Sequence, residues 1–428
     1  MITGKLLLAA SLAGGVVLAA AGADGAPPRI AGVKSTPRAI MKLERDYVAD
    51  LTADTGAIVP GAVVDVLLLS GKRYTGMEIA EMKAGPAANT FRTISFKPSK
   101  GNPTKITPTT LYQLRTEQGV YDVVSDPAAK AWLLLDLNKR NEVAGDRLGT
   151  QGFELWKEPS REELDAATKF YDDLMSKAQA TFPQLSFQRV ETKYFVFYTD
   201  MPAAQVGGYI ANLDKMYDQL CSLFGVPEGT NIWLGKCPVI AFLHNEAFQQ
   251  FEARYMGNPM TQGVAGLNHQ WGDGRVVITC ARGDDPIFFA VVLVHETAHG
   301  FLHRIRSNGR IPPWMNEGIS EWVSAVVVPQ SDHVANRMTE ALPQVRSTGS
   351  LGGNFLDDEG AIQRWQYGVA ATLTQLLVST DANAYRGMIT AIKEGYTWRE
   401  ALELTYGISA TDLAAAYGRQ IGVPGLRP

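Results

Sequence analysis

The sequence predicts an α+β protein in which a small all-β, barrel-like domain precedes a larger domain with a mixed sheet and a helical C-terminal part. Two observations lead to this prediction. Between residues 61 and 138, short runs of strand-forming residues are separated by turn residues, at the strand spacing of a small barrel. In residues 186–428, a few strand-like runs are followed by long stretches in which apolar residues recur at helical spacing.

Residues 1–23 have the pattern of a secretory signal peptide. A short start that carries Lys5 is followed by an apolar run, and the small residues Ala21-Gly22-Ala23 place a cleavage site before Asp24. We therefore expect an exported protein, secreted or periplasmic, that is not stably inserted in a membrane after cleavage. An uncleaved anchor is the alternative, because the apolar run is close to the shortest that spans a bilayer.

Residues 24–60 follow as an N-terminal segment with one predicted helix, Pro37–Ala53, and residues 61–138 form the barrel-like domain. Six runs are predicted as its strands: Ala62–Leu69, Lys72–Met82, Thr90–Lys97, Thr109–Thr116, Val120–Val124 and Ala131–Leu137. The first two runs form a hairpin, because Ser70-Gly71 between them supplies a tight turn. We expect this accessory domain to bind a peptide, a polysaccharide or the larger domain.

Residues 139–185 are predicted to connect the two domains. The stretch Asn138–Pro159 is interpreted as a linker, and the capping box Ser160-Arg161-Glu162-Glu163 predicts a helix that runs to about Ala180. The elements predicted after it are the strands Tyr194–Thr199 and Val239–Leu243, a hairpin of Gly263–Leu267 and Arg275–Cys280, and the helices Ala203–Phe224, Ile362–Val378, Asp381–Glu394, Thr397–Leu404 and Ala410–Ile421. Together they predict a mixed sheet with helices packed on it.

The segment His295-Glu296-Thr297-Ala298-His299 is an H-E-x-x-H motif within a predicted helix that starts after Asp285 and stops at Asn308-Gly309. Residues at i and i+4 share a helical face, so His295 and His299 can hold one zinc ion, with Glu296 as general base. The alternative is a helix with two surface histidines. The apolar run before His295 argues against it, because buried polar groups need partners.

A catalytic zinc site needs a third protein ligand, and Glu317 is placed to supply it from the next predicted helix, which begins near Pro312. Glu321 lies four residues further on the same face, where it can accept the free ring N–H of a zinc-binding histidine. An ordinary acidic helix start is the alternative. His303 lies about 12 Å along the helix from His295, too far to share the ion, and is interpreted as a rim or packing residue.

With these residues the chain resembles the gluzincins, the thermolysin-like zinc metallopeptidases, and among them the bacterial peptidase MA-like members. The resemblance covers roughly residues 190–425, and its specific motifs are confined to residues 295–321. It implies a thermolysin-like zincin domain over residues 186–428 with one Zn²⁺ per chain. The implied roles are zinc ligands for His295, His299 and Glu317, general base for Glu296, and support of a ligand for Glu321. A metzincin is excluded, because Leu302 and Ile305 occupy its Gly and His positions.

The resemblance also implies two features around the metal. In gluzincins the sheet edge beside the zinc helix binds an extended peptide, and the residues predicted for that edge are Val264, Ala265 and Gly266, with a plain structural hairpin as the alternative. A donor to the developing oxyanion is supplied from the later helices, and Tyr367 is the candidate, with a core aromatic residue as the alternative. His269 is a weaker competitor for the same role.

We therefore expect an exported zinc metallopeptidase that acts on a peptide or protein substrate, and an endopeptidase because the G-A-M-E-N motif is missing. Two alternatives stay open: a zinc-containing scaffold without activity, and a zinc amidase that acts on a cell-wall substrate. The net charge of −4 gives no reason to expect nucleic acid as a partner. Cys221, Cys237 and Cys280 either include one disulfide or are all reduced core residues.

Overall fold

The computed structural model describes residues 28–33, 58–86, 90–98, 104–126 and 130–428. The predicted signal peptide and the predicted helix Pro37–Ala53 lie outside the described residues. The described chain is mixed α and β, with two sheets. None of its described helices has the length and apolar character needed to cross a membrane.

Seven antiparallel strands build the first sheet: β1 (Val63–Leu68), β2 (Arg73–Ala84), β3 (Thr90–Lys97), β4 (Thr104–Ile106), β5 (Leu111–Arg115), β6 (Val120–Asp126) and β7 (Ala131–Asp136). Their order is β2-β1-β5-β6-β7-β3-β4, and a further pairing of β2 with β3 closes six of the strands into a ring. Alternate residues point inward, so that Val64, Phe96 and Leu114 lie in a separate apolar core. The six predicted strands are confirmed, and β4 is an addition.

The segment after β7 was predicted wrongly. Where the sequence indicates a linker over Asn138–Pro159, the structure has helix α1 (Leu137–Gly149). Asp136 caps this helix by accepting two backbone N–H groups of its first turn. Only Ala144 and Leu148 of the helix are fully buried, so few apolar residues mark the helix in the sequence. Helix α2 (Arg161–Thr181) follows and begins with the predicted capping box.

Five strands build the second sheet: β8 (Gln188–Glu191), β9 (Phe195–Thr199), β10 (Cys237–Phe242), β11 (Gly266–Gln270) and β12 (Val276–Ala281). The order is β11-β12-β10-β9-β8, with β9, β10 and β12 parallel and the two edge strands antiparallel. The three inner strands are buried along their whole length, since helices cover both faces of the sheet. The mixed sheet is therefore confirmed.

The edge strand β11 starts later than predicted. Val264 and Ala265 precede it, because Gly263 has a positive φ of 79° and a turn closes between Val264 N–H and the carbonyl of Thr261. The strand proper begins at Gly266.

The helices of the larger unit are α3 (Ala203–Phe224), α4 (Asn245–Phe251), α5 (Pro286–Arg304), α6 (Pro313–Val327), α7 (His333–Thr348), α8 (Tyr367–Thr380), α9 (Ala382–Lys393), α10 (Trp398–Tyr406) and α11 (Ala410–Ile421). Helices α3 and α5 cover one face of the second sheet, and α2 and α4 cover the other. Helix α7 was missed, and α8 begins at Tyr367 rather than Ile362. The cysteines Cys221, Cys237 and Cys280 are buried thiols without a disulfide.

Helix α5 ends at Arg304, before the predicted stop at Asn308-Gly309. The chain leaves the helix at Ile305 and then adopts a positive φ of 63° at Arg306. The buried amino group of Lys393 donates to the carbonyls of Leu302 (3.0 Å) and Gly309 (2.9 Å), on the last turn of the helix and on the segment after it. The bond to Leu302 satisfies a carbonyl group that the helix end leaves without a partner, and the bond to Gly309 ties the following segment to the same amino group.

Candidate metal centre

Helix α5 carries the H-E-x-x-H motif through the centre of the larger unit. Its start is fixed by the predicted cap, since Asp285 accepts the backbone N–H groups of Ile287 and Phe288. The apolar first half buries residues such as Leu293 and Val294 in the main core. Because these side chains occupy the core face, the helix cannot rotate, and the motif is held toward α6 and β11.

His295 and His299 meet Glu317 of α6 in one group. The Nε2 atoms of the two histidines are 3.0 Å apart, and Glu317 Oε2 lies 3.2 Å from Nε2 of His295 and 3.5 Å from Nε2 of His299. The three side chains are 12%, 11% and 21% exposed, so the group is largely shielded from water. Among the described residues, this is the group of His, Cys, Asp or Glu whose ligand atoms come close enough to share a metal ion.

The remaining ring nitrogen of His299 is hydrogen-bonded, and that of His295 lies within ion-pair distance of a carboxylate. His299 Nδ1 lies 3.1 Å from Asn316 Oδ1 and 3.1 Å from Ser320 Oγ. His295 Nδ1 lies 3.6 Å from Glu321 Oε1. With the Nδ1 atoms held in this way, both Nε2 atoms face Glu317, which is how outer partners orient metal-binding imidazoles.

The residues present fit a divalent metal ion. Glu317 Oε2 is buried and has no hydrogen-bond partner. This oxygen instead lies at ion-pair distance from Nε2 of His295 and of His299, so that the three ligand atoms face one another. Two imidazoles and one carboxylate are the donor set of many catalytic zinc sites, and they leave a coordination position for water or substrate.

The charges within the group shift the pKa values of its three side chains. Burial disfavours imidazolium, but the Glu317 carboxylate outweighs it, raises the pKa of His299 to about 9 and raises the pKa of His295. Burial would also raise the pKa of Glu317, yet the two histidines hold that pKa well below its usual range. The group therefore favours positive charge, and a metal ion held there would take the place of protons on the histidines.

Glu296 lies between the metal group and the edge strand. A Cβ atom placed on Gly266 would stand 2.9 Å from Glu296 Cγ and 2.6 Å from Val292 Cγ1. Only glycine therefore lets β11 approach this face of α5 so closely. Of the three residues predicted to bind substrate, Gly266 lies in the edge strand, and Val264 and Ala265 lie in the segment before it.

Tyr367 and His269 were the two candidates for an oxyanion donor. Burial, followed by the negative charge of Glu317, raises the pKa of Tyr367 to about 12, and the guanidinium carbon of Arg337 lies 4.9 Å from the centroid of its ring. His269 lies on the opposite face of the sheet, because side chains alternate along β11 and Gly266 faces α5. Its Nε2 lies 3.0 Å from Glu252 Oε1 and 3.2 Å from Thr279 Oγ1. His269 was therefore a wrong candidate.

Two residues of the unpredicted helix α7 also belong to this region. Glu321 is 1% exposed, and its Oε1 lies 3.0 Å from Nη2 of Arg337, while its Oε2 lies 3.3 Å from Nε2 of His333. The spacing of His333 and Arg337, i and i+4, places them on one helical face. The i, i+4 spacing of these two residues is visible in the sequence, but it indicates a shared face only if the segment is known to be a helix.

His303 is a packing residue, as predicted. Its ring stands edge-on to Trp156, with 5.4 Å between centroids, and its Nε2 lies 3.3 Å from the carbonyl oxygen of Trp271. Burial, followed by the positive charge of Lys393, lowers the pKa of His303 to about 4. The folded protein therefore keeps this imidazole neutral in mild acid.

We expect His303 to make the free energy of unfolding depend on pH between 6.5 and 4. Below about pH 6.5 the unfolded chain protonates this residue and the folded chain does not. The free energy of unfolding therefore decreases by about 2 to 3 kcal/mol as the pH is lowered from 6.5 to 4. The His303→Gln variant should lose that slope in denaturant unfolding measured at several pH values. The exposed His244→Gln variant is the control and should keep it. An unchanged slope in His303→Gln would contradict the expectation.

Two comparisons with known proteins found no relative of this chain. No protein-family model matches the chain, and no curated protein matches it.

Proposed function

We propose that the protein is a zinc-dependent peptidase of the gluzincin type, with a thermolysin-like catalytic domain, that hydrolyses internal peptide bonds. The observation that carries the proposal is the convergence of one ligand atom each from His295, His299 and Glu317 in a largely buried group. The ligand set and the position of Glu296 beside it are those expected for zinc hydrolysis. The proposal that the enzyme is exported rests on the pattern of residues 1–23.

The proposed reaction assigns a role to each side chain at the centre. His295, His299 and Glu317 would hold the zinc ion, and the chemistry that zinc supplies when bound is a polarised carbonyl and a lowered pKa of water. Glu296 accepts the proton of the attacking water and delivers it to the leaving amine. Tyr367, whose pKa of about 12 keeps its hydroxyl protonated at neutral pH, donates a hydrogen bond to the developing oxyanion.

An extended peptide is the substrate that the sheet edge supports best. In the described part of the chain, β11 pairs only with β12, so its other edge offers backbone groups to a further strand. A strand added there would run past Gly266, whose inner face borders Glu296. The same edge would accept the middle of a chain as readily as its end, which supports an endopeptidase.

The test is cleavage of a mixed peptide library, with each product identified by mass spectrometry. We expect cuts at internal bonds, complete loss of cutting after treatment with a zinc chelator, and recovery when zinc is returned. Purified peptidoglycan fragments are assayed beside the library. Cleavage of those fragments alone would replace the peptidase by a cell-wall amidase. Cleavage of peptides that persists in the chelator would contradict the metal-dependent mechanism.

A further inference from the structure

We propose that Arg337 of α7 is a positioning residue that holds two sides of the metal centre in one arrangement. Its guanidinium holds the carboxylate of Glu321, which lies next to the Nδ1 atom of the ligand His295. The same guanidinium also holds the ring of Tyr367. The inference rests on the proposed function, since it assigns a role relative to the same metal group. Arg337 lies outside the H-E-x-x-H motif, on a helix that supplies neither a metal ligand nor the general base.

The contacts of Glu321 show why it needs an anchor. Its carboxylate is 1% exposed, so the charge has almost no water to stabilise it. Oε1 is shared between Arg337 Nη2 at 3.0 Å and His295 Nδ1 at 3.6 Å. The contact from Arg337 is the shorter of the two, and it fixes the oxygen that faces the metal ligand.

Arg337 also lies over the ring of Tyr367. Its guanidinium carbon is 4.9 Å from the ring centroid, within the range of a cation–π contact. A planar guanidinium can stack on an aromatic face while its edge donates to a carboxylate, whereas the compact ammonium of lysine cannot do both equally well. One side chain therefore touches both the support of His295 and the candidate oxyanion donor.

The backbone of Arg337 packs closely against the start of α8. A Cβ atom on Gly368, the residue after Tyr367, would lie 2.8 Å from the carbonyl carbon of Arg337 and 2.8 Å from the backbone nitrogen of Met338. Helices α7 and α8 are thus in backbone contact at this point. This contact fixes the distance between the backbone of Arg337 and the start of α8, where Tyr367 lies.

His333 supports the same carboxylate but reaches nothing else at the centre. Its Nε2 lies 3.3 Å from Glu321 Oε2, and its Nδ1 lies 3.0 Å from Ser331 Oγ. It fixes the outer oxygen of Glu321, the one turned away from His295. We therefore expect His333 to matter less than Arg337.

The test compares Arg337→Met and Arg337→Lys with the control Arg346→Met, which changes an exposed arginine near the end of the same helix. Three quantities are measured on full-length protein: zinc affinity by competition with a chromophoric chelator, the visible spectrum of the Co²⁺-loaded protein, and kcat and KM for a library-derived peptide. The cobalt spectrum reports the ligand field, which a merely structural role would leave unchanged.

We expect Arg337→Met to bind zinc about tenfold more weakly, to change the cobalt spectrum and to lower kcat more than it raises KM. Arg337→Lys should recover part of the affinity, and Arg346→Met should match the parent. Parental affinity and spectrum in Arg337→Met would overturn the proposal while leaving the metal site intact. If Arg337→Met does not fold, a parental zinc affinity and a parental cobalt spectrum in Arg337→Lys would overturn the proposal. A parent that takes up neither Zn²⁺ nor Co²⁺ removes the proposed function, and this inference with it.

Discussion

Replacement of Glu296 by glutamine is expected to slow peptide cleavage by about 10³-fold or more, because an amide cannot accept the proton of the attacking water. The variant should still bind zinc nearly as tightly as the parent. Glu296 does not belong to the group of ligand atoms formed by His295, His299 and Glu317. Glutamine also keeps the shape of the side chain that packs under Gly266, so β11 should stay in place.

The measurement pairs zinc affinity with kcat for Glu296→Gln, the parent and a control, Glu340→Gln. Glu340 is an exposed glutamate on α7, so its replacement tests the loss of one negative charge without touching the centre. The control should cleave at the parental rate. Zinc bound at parental affinity together with more than about a tenth of the parental rate would exclude Glu296 as the general base.

Replacement of His299 by alanine is expected to weaken zinc binding by more than about a hundredfold and to abolish chelator-sensitive cleavage. His299 contributes Nε2 to the metal group, and Asn316 and Ser320 hold its other nitrogen. Without the imidazole, Glu317 and His295 cannot complete a three-ligand site. Unlike the change at Glu296, this change should remove both metal and activity.

His303→Gln is the matched control, because His303 stands one turn further along α5 and packs against Trp156 rather than facing the metal group. Equilibrium dialysis with radioactive or isotopically labelled zinc gives the affinity of each variant. Circular dichroism of the metal-free proteins shows whether α5 is intact. Equal zinc affinity in His299→Ala and the parent would exclude His299 as a ligand.

The sequence was most informative where local chemistry decides structure. The capping box at Ser160, the cap at Asp285 and the strand Thr90–Lys97 depend on neighbouring residues, and each is confirmed. The metal group was predicted for a similar reason. Two of its members are one helical turn apart on α5, so that one helix already places both imidazoles on the same face.

The sequence was least informative where long-range packing decides structure. Helix α1 has few buried apolar residues, and α7 contains Pro343, a residue that argues against a helix when the sequence is considered alone. Arg337 and His333 could not be placed near Glu321 before α7 was recognised. The error over His269 has a different origin. Its nearness to the edge strand was recognised, but the face of the sheet depends on where β11 begins.

The zinc content of the purified parent protein, measured by mass spectrometry after saturation with zinc and removal of free metal, is the most direct test of the account. We predict one zinc ion per chain, held by His295, His299 and Glu317, and an anomalous scattering peak beside the two Nε2 atoms in crystals of the loaded protein. No bound zinc at saturation, or a peak at another place in the molecule, would contradict the metal centre and the peptidase function that depends on it.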